Sequence, residues 1–357
     1  MLKKLAQMSS DNLEMTYAEA ISRASVDAAH QNERLVFLGI GVQYPSGIFG
    51  TTNELYRVFG GQRVIDTPAM ENGLTGIAVG LCRTGYKPVV IHARNDFMLL
   101  AFDPIINLVA KWNYMFGGEA GKADVVIRSI IGKGWGQGAT HSQSFHSLLG
   151  HIPGIRVLLP STVQDAYSMT YASLIDQIPT VIFEHRSLYS TRSKIRVGES
   201  KMDLETPIRL LEGTHITLAG YSYATYQLMK ASELLQNYGI TTDVFDLRSL
   251  NPTNLDDLRS SVQKTGRILL HDVSWVPFGA NSEIVSRLFE SNLDMHGIDV
   301  KRVGNYFSPA PTSEFLETQF YPSDKDIVKI CLKMLDKEPE SVSFLGNQDS
   351  SEFIGPY

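Results

Sequence analysis

Apolar runs of strand length alternate with helical patterns along almost the whole chain. Residues 35–40, 89–93, 125–131, 155–159 and 180–183 are rich in valine, isoleucine, leucine and phenylalanine, with little alternation of apolar and polar positions. A strand with one wet face alternates. A run without alternation predicts a parallel strand covered on both faces. Between the runs the spacing turns helical. Thr16, followed three residues later by Glu19, makes a capping box and predicts a helix burying Ala20, Ile21 and Ala24. A second helix is expected over 102–116, stopped by Gly117 and Gly118. Ser161 is read as the cap of a third, which ends before Pro179.

From 187 to 205 the chain is polar and basic without a strong period, and reads as an interdomain linker. A second series then begins, with strands expected at 215–219, 242–247 and 267–270 and helices over 225–238, 254–263 and 324–335. Strand–helix alternation in two series predicts two doubly wound α/β domains with mostly parallel sheets. The expected boundaries are 1–190 for the first domain, 191–210 for the linker, 211–337 for the second domain and 338–357 for a loose polar tail.

Composition agrees with two domains: there are 357 residues, and roughly 150 make a domain. Apolar residues make up 43% and charged residues 20%, which suits a folded globular chain. The net charge of -6 argues against a nucleic-acid or acidic-membrane partner. Cys82 and Cys331 are too few for a disulfide framework and have no metal-ligand spacing, so a reducing, cytoplasmic compartment is expected. The N-terminal residues lack the apolar segment of a signal peptide, and no apolar run approaches about 18 residues.

Several familiar motifs fail. Gly39-Ile40-Gly41 follows a strand, but Tyr44 stands where a dinucleotide loop has its third glycine. No phosphate loop of the GxxxxGK[ST] type and no GxSxG nucleophile elbow occurs. His141, His146 and His151 are spaced by five, about 140° apart on a helix, so they share no ligating face.

Three segments carry information. In the first, Asp66-Thr67-Pro68 ends a strand and turns the chain, and a helix opens at Glu71 with Gly73, Gly76 and Gly80 along it. Small residues at that spacing allow close packing on a sheet or a partner helix. A carboxylate at the carboxyl end of a strand stands where ligands bind in open α/β sheets, although it also simply complements a helix dipole. In the second, four glycines between Gly132 and Gly138 lead into His141-Ser142-Gln143 after a buried strand. Such a loop brings backbone close to a ligand and offers His141 as an acid, base or oxyanion donor; the alternative is a flexible surface loop. In the third, Asp96-Phe97 after the 89–93 strand offers an aromatic platform or a core side chain.

Taken in order, Glu71 in its Asp-Thr-Pro setting, Ala101-Phe102-Asp103, Gly117-Gly118, Gly138-Ala139-Thr140-His141-Ser142-Gln143 and His151-Ile152-Pro153-Gly154-Ile155 resemble one family. It is the beta subunit of the decarboxylating, thiamine-diphosphate-dependent first component of 2-oxo acid dehydrogenase complexes, which shares its domains with transketolase. The likeness runs from about Thr16 to Leu335 and includes the 246–252 and 278–284 segments.

The resemblance implies a pyrimidine-binding domain followed by a transketolase C-terminal-like domain. It implies oxidative decarboxylation with acyl transfer to a lipoyl group, in an α2β2 heterotetramer that presents its product to a lipoyl acyltransferase. Thiamine diphosphate is then shared with an alpha subunit, which carries the diphosphate and magnesium site marked by Gly-Asp-Gly. That motif is absent here, so no metal ligand is expected on this chain. By position, Glu71 matches the glutamate that hydrogen-bonds the aminopyrimidine nitrogen. Phe97, with Asp96 beside it, matches the aromatic packed on the pyrimidine. His141, with Gln143, matches the mouth of the active site and assists acyl transfer.

There are departures from the family. Gly39-Ile40-Gly41-Val42 lacks the two acids usual after the first strand, which puts communication between paired active sites in doubt. Arg94 and Asn95 replace apolar or small residues, and Arg94 suits a substrate carboxylate or phosphate as well as it suits an interface pair. These changes leave room for a split transketolase-like or acyloin-forming carboligase, or for a subunit that only shapes its partner's site.

Overall fold

A computed structural model describes residues 12–44, 47–118, 121–133, 136–198, 203–291 and 296–338. All but the first residue of the tail expected at 338–357 lies outside the described residues, as do Gly134 and Trp135 of the glycine-rich segment. The chain divides into two compact units. One takes in the chain up to Ile131 together with Leu148–Leu204, and the other takes in Gly132–Ser147 together with the chain from Glu205.

The strands of the first unit are β1 (Asn12–Thr16), β2 (Leu35–Gly39), β3 (Val64–Asp66), β4 (Lys87–His92), β5 (Val126–Ile131), β6 (Arg156–Leu158), β7 (Thr180–His185) and β8 (Arg192–Arg196). Within the unit the main sheet runs in the order β6-β7-β5-β4-β2-β3, and every one of these pairs is parallel. The apolar runs without alternation are explained by this, since β2, β4, β5 and β7 are buried at every position. The chain leaves β2 for β3 on one side and returns to β4 on the other. The carboxyl ends of β2 and β4 therefore flank a switch point, where the crossovers diverge and leave a crevice.

The capping box forms as the spacing predicts: Thr16 N–H donates to the Glu19 carboxylate at 2.7 Å, and Glu19 N–H donates to Thr16 Oγ1 at 3.1 Å. The helix it opens, Tyr17–Gln31, buries Ala20, Ile21 and Ala24 completely. The third helix is Val163–Ile175, and its cap is Thr162 rather than Ser161, with Asp165 N–H donating to the Thr162 hydroxyl at 3.0 Å. Ser161 and Thr162 are both good caps, and only backbone geometry separates them. The helix expected over 102–116 is interrupted. Its middle, Pro104–Val109, is a wider turn in which Ala110 N–H reaches back five residues to the Ile105 carbonyl at 3.0 Å. The Ala110 carbonyl is pressed against Gly154, where a Cβ would lie 2.0 Å from it.

The polar stretch from 187 to 205 is not featureless. Arg192–Arg196 is the strand β8, paired antiparallel with β1 so that Asn12 faces Arg196. Of its side chains only Ile195 is buried, which is why it shows no period.

The second unit contains β9 (Ile208–Leu211), β10 (Ile216–Gly220), β11 (Thr242–Asp246), β12 (Ser249–Asn251), β13 (Arg267–Trp275) and β14 (Asp299–Asn305). Its sheet runs β14-β13-β10-β11-β9, parallel except for the edge strand β9. Alternate residues of β10 serve opposite faces. Ile216 and Leu218 join Leu228, Ala231, Ile327, Val328 and Cys331 in the core beneath the helices Tyr223–Gln236 and Asp324–Met334. Thr217, between them, instead bonds Ser261 of the helix Asp256–Thr265 at 2.7 Å. Helices thus cover both faces of this sheet. No helix among the described residues is long and apolar enough to cross a membrane.

Candidate active site

Two loops at the carboxyl edge of the first unit's sheet carry Glu71 on one and Arg94, Asp96 and Phe97 on the other. After β3, Thr67 and Pro68 turn the chain and Glu71 becomes the first residue of the helix Glu71–Arg83, which packs against β4. Glu71 is half-buried, and among the described residues no side-chain partner is placed on its carboxylate. Its backbone carbonyl accepts from the Thr75 hydroxyl at 2.9 Å, which ties down the first turn. Gly76 and Gly80 face open space, with no atom within 4 Å of an added Cβ.

After β4 the backbone passes through Arg94 and coils into a short helix, Asn95–Met98, on which Asp96 and Phe97 are half-buried. Arg94 is only 6% exposed. Its guanidinium lies 4.9 Å over the Phe49 ring and donates to the Ala93 carbonyl at 2.6 Å. Burial pulls its pKa down, against the opposing influence of Tyr189 and Asp96. Behind this loop, burial pushes His92 down to about 4, and among the described residues its Nε2 has no hydrogen-bond partner.

The loop after β2 explains one departure from the family pattern. Gly41 has φ +73, and its N–H donates to the Asp66 carboxylate at 2.5 Å. A β-carbon at Gly39 would meet the Ile91 carbonyl at 2.5 Å. The backbone here holds Asp66 at the carboxyl end of β3, and the positive φ at position 41 is one glycine adopts without strain.

His141 and Gln143 belong to the second unit, because the segment Gly132–Ser147 clusters with it. His141 closes a short turn, Gly138–Thr140: its N–H bonds the Gly138 carbonyl at 3.2 Å, and its Nδ1 lies 2.9 Å from the Thr140 hydroxyl. Both His141 and Gln143 are half-buried. The glycines upstream are required by close approach. A Cβ at Gly136 would lie 2.5 Å from the Thr312 carbonyl, and one at Gly138 would lie 2.4 Å from the Thr312 methyl. Glu71, Arg94, Asp96 and Phe97 thus sit on one unit and His141 and Gln143 on the other.

One arrangement was not foreseen from the sequence, where His146 was weighed only as a metal ligand. His146, fully buried, places Nε2 2.9 Å from Asp272 Oδ1 on β13. The other oxygen of Asp272 accepts from the Ser274 hydroxyl at 2.9 Å. Burial alone would raise the Asp272 carboxyl, but His146, Ser274 and His271 together hold it below the usual carboxylate range. The only trace of this in the sequence is a histidine and an aspartate 126 positions apart, a separation no motif describes. Among the described residues, no group of three or more His, Cys, Asp or Glu side chains is placed to hold a metal ion.

Comparison with known proteins agrees with both halves. The family described as transketolase, pyrimidine binding domain, matches residues 14–192, and transketolase, C-terminal domain, matches residues 208–327. The mitochondrial pyruvate dehydrogenase E1 component subunit beta of Saccharomyces cerevisiae is 32% identical, over 91% of this chain and 90% of its own length. The acetoin:2,6-dichlorophenolindophenol oxidoreductase subunit beta of Bacillus subtilis is 30% identical, over 93% of this chain and 94% of its own. Among solved structures, a split-gene transketolase described as an inactive beta4 tetramer superposes with a TM-score of 0.71. It covers 91% of this chain and 99% of the other at 21% identity, a likeness of fold.

Proposed function

This chain belongs to the transketolase family of paired pyrimidine-binding and C-terminal domains, and from that premise we propose that it is the beta subunit of a thiamine-diphosphate-dependent 2-oxo acid dehydrogenase. It works with an alpha subunit in an α2β2 assembly, oxidatively decarboxylating a 2-oxo acid and passing the acyl group to a lipoyl carrier. Residues 1–190 make the pyrimidine-binding domain and 211–337 the C-terminal domain. Magnesium and the diphosphate lie against the alpha subunit. The two cysteines, both free and buried, suit a reducing compartment such as the cytoplasm.

The observation that carries the reading is Glu71. A carboxylate that opens a helix at the carboxyl edge of a parallel sheet, half-buried and without a side-chain partner among the described residues, suits a ring nitrogen that needs a hydrogen bond. When bound, thiamine diphosphate supplies a nucleophilic carbon and a sink for the electrons released on decarboxylation. Glu71 holds a proton at the aminopyrimidine ring nitrogen, and Phe97, with Asp96 beside it, packs against that ring and orients it. His141, on the second unit, donates a hydrogen bond while the acyl group leaves, assisted by Gln143 two residues further on. Arg94 is too deeply buried to meet a substrate from open solvent. Buried over Phe49, it is this chain's candidate cation for a substrate carboxylate.

The test is co-purification with the alpha subunit, followed by a panel of 2-oxo acids assayed with an artificial electron acceptor. Oxidation of at least one of them, dependent on thiamine diphosphate, is the expected outcome. A complex that oxidises none but joins ketoses or aldehydes would instead be a carboligase.

A further inference from the structure

The loop that carries His141 has no regular structure between Thr140 and His146, so its shape depends on where its ends are fixed. The upstream end is wedged by Gly136 and Gly138 against Thr312. In the middle, the Ser142 carbonyl accepts from the Tyr321 hydroxyl at 3.3 Å. Downstream, Phe145 leans on Trp275 with ring centroids 5.7 Å apart. His146 then enters the interior and meets Asp272 at 2.9 Å. Asp272 is itself fixed on β13 by Ser274, and its neighbour His271 is held by Gln227 at 2.9 Å.

Packing alone does not call for this pair. A buried carboxylate loses its hydration, and an apolar pair of similar volume would do as well or better for stability. The close approach ties the loop down: His146 Nε2 stands 2.9 Å from the Asp272 carboxylate, and that anchors the backbone five residues after His141. We propose that His146, held by Asp272, is a positioning residue for His141, setting where the His141 ring stands without itself touching substrate. The proposal rests on the role assigned above to His141 in acyl transfer.

The test is a double-mutant cycle in the complex with the alpha subunit. Two turnovers are measured for each variant, one with a lipoyl acceptor and one with 2,6-dichlorophenolindophenol, and their ratio is the readout. His141→Ala should lower the ratio. His146→Ala should lower it about tenfold or more, since a displacement of about 1 Å in a positioning contact costs up to about a hundredfold. In the His141→Ala background, His146→Ala should add nothing further. His146→Gln, which can still reach Asp272, should restore much of the ratio. If His146→Ala prevents assembly, Asp272→Asn replaces it in the cycle under the same criteria. An unchanged ratio, or losses that multiply in the double variant, would overturn the proposal while leaving the role of His141 standing. An unchanged ratio in His141→Ala itself would remove the role of His141, and the positioning role with it.

Discussion

At the scale of single residues, the proposed chemistry rests on a few side chains whose type matters more than their number. Glu71 is the clearest case. Gln at this position keeps the shape and the helix start but cannot hold a carboxyl proton against a ring nitrogen. Glu71→Gln in the assembled complex should therefore lower turnover by about 10²- to 10⁴-fold, the usual worth of a positioned proton donor, while assembly is unchanged. Steady-state kinetics with gel filtration check this, and wild-type turnover in the variant would remove Glu71 from the mechanism. Arg94 shows the limit of reading residue types. In the sequence it stands three residues before Phe97 and suits a substrate as well as an interface pair. The fold buries it over Phe49.

At the scale of elements, the parallel strands do two things. Their apolar interiors hold the sheets, and their carboxyl ends present the loops. Burial at this density has a consequence for acid stability. His92 at the end of β4 and His271 in β13 are both pushed down from 6.5 to about 4 by desolvation. Between those values the unfolded chain binds protons that the folded chain refuses, so stability falls as pH drops from about 6.5 toward 4. Below about 4 the loss levels off for these two groups. Each can contribute up to about 3 kcal/mol. Asp272, held low, adds a further loss in more acid solution, as pH falls through its own folded value. Urea unfolding between pH 7 and 4.5 should show the decline. His92→Phe, which removes a buried ring nitrogen that has no partner among the described residues, should flatten it by about half. An identical slope in the variant would assign the pH dependence to other groups.

Not all elements were equally legible. The capping box at Thr16 and Glu19 and the strands without alternation could be read directly, because local sequence carries their cause. The strand β8 could not. Its residues are polar apart from Ile195, and it is a strand because β1 lies beside it. The cap at Thr162 rather than Ser161, and the wide turn over Pro104–Val109, were likewise decided by contacts that neighbouring residues do not reveal.

At the scale of the whole molecule, two units account for the described chain, and the Gly-Asp-Gly of a complete thiamine enzyme is missing from the sequence. Titration calorimetry of this chain alone with thiamine diphosphate and magnesium should give little or no heat. Adding the alpha subunit should produce tight, magnesium-dependent binding. Tight binding by the chain alone would overturn the division of the site between subunits.

The sequence by itself determined the α/β class, the order of most strands and helices, and the positions of Glu71, Phe97 and His141 on loops that follow strands. These depend on periodicity, capping and turn chemistry, which act over a few residues. Only the tertiary structure decided that the His141 loop belongs with the second unit, that Arg94 is sealed against Phe49, and that His146 meets Asp272 across 126 positions of sequence. Such contacts are set by the path of the chain through the sheets. Their energy comes from desolvation and charge, terms that exist only once the surrounding side chains have excluded water.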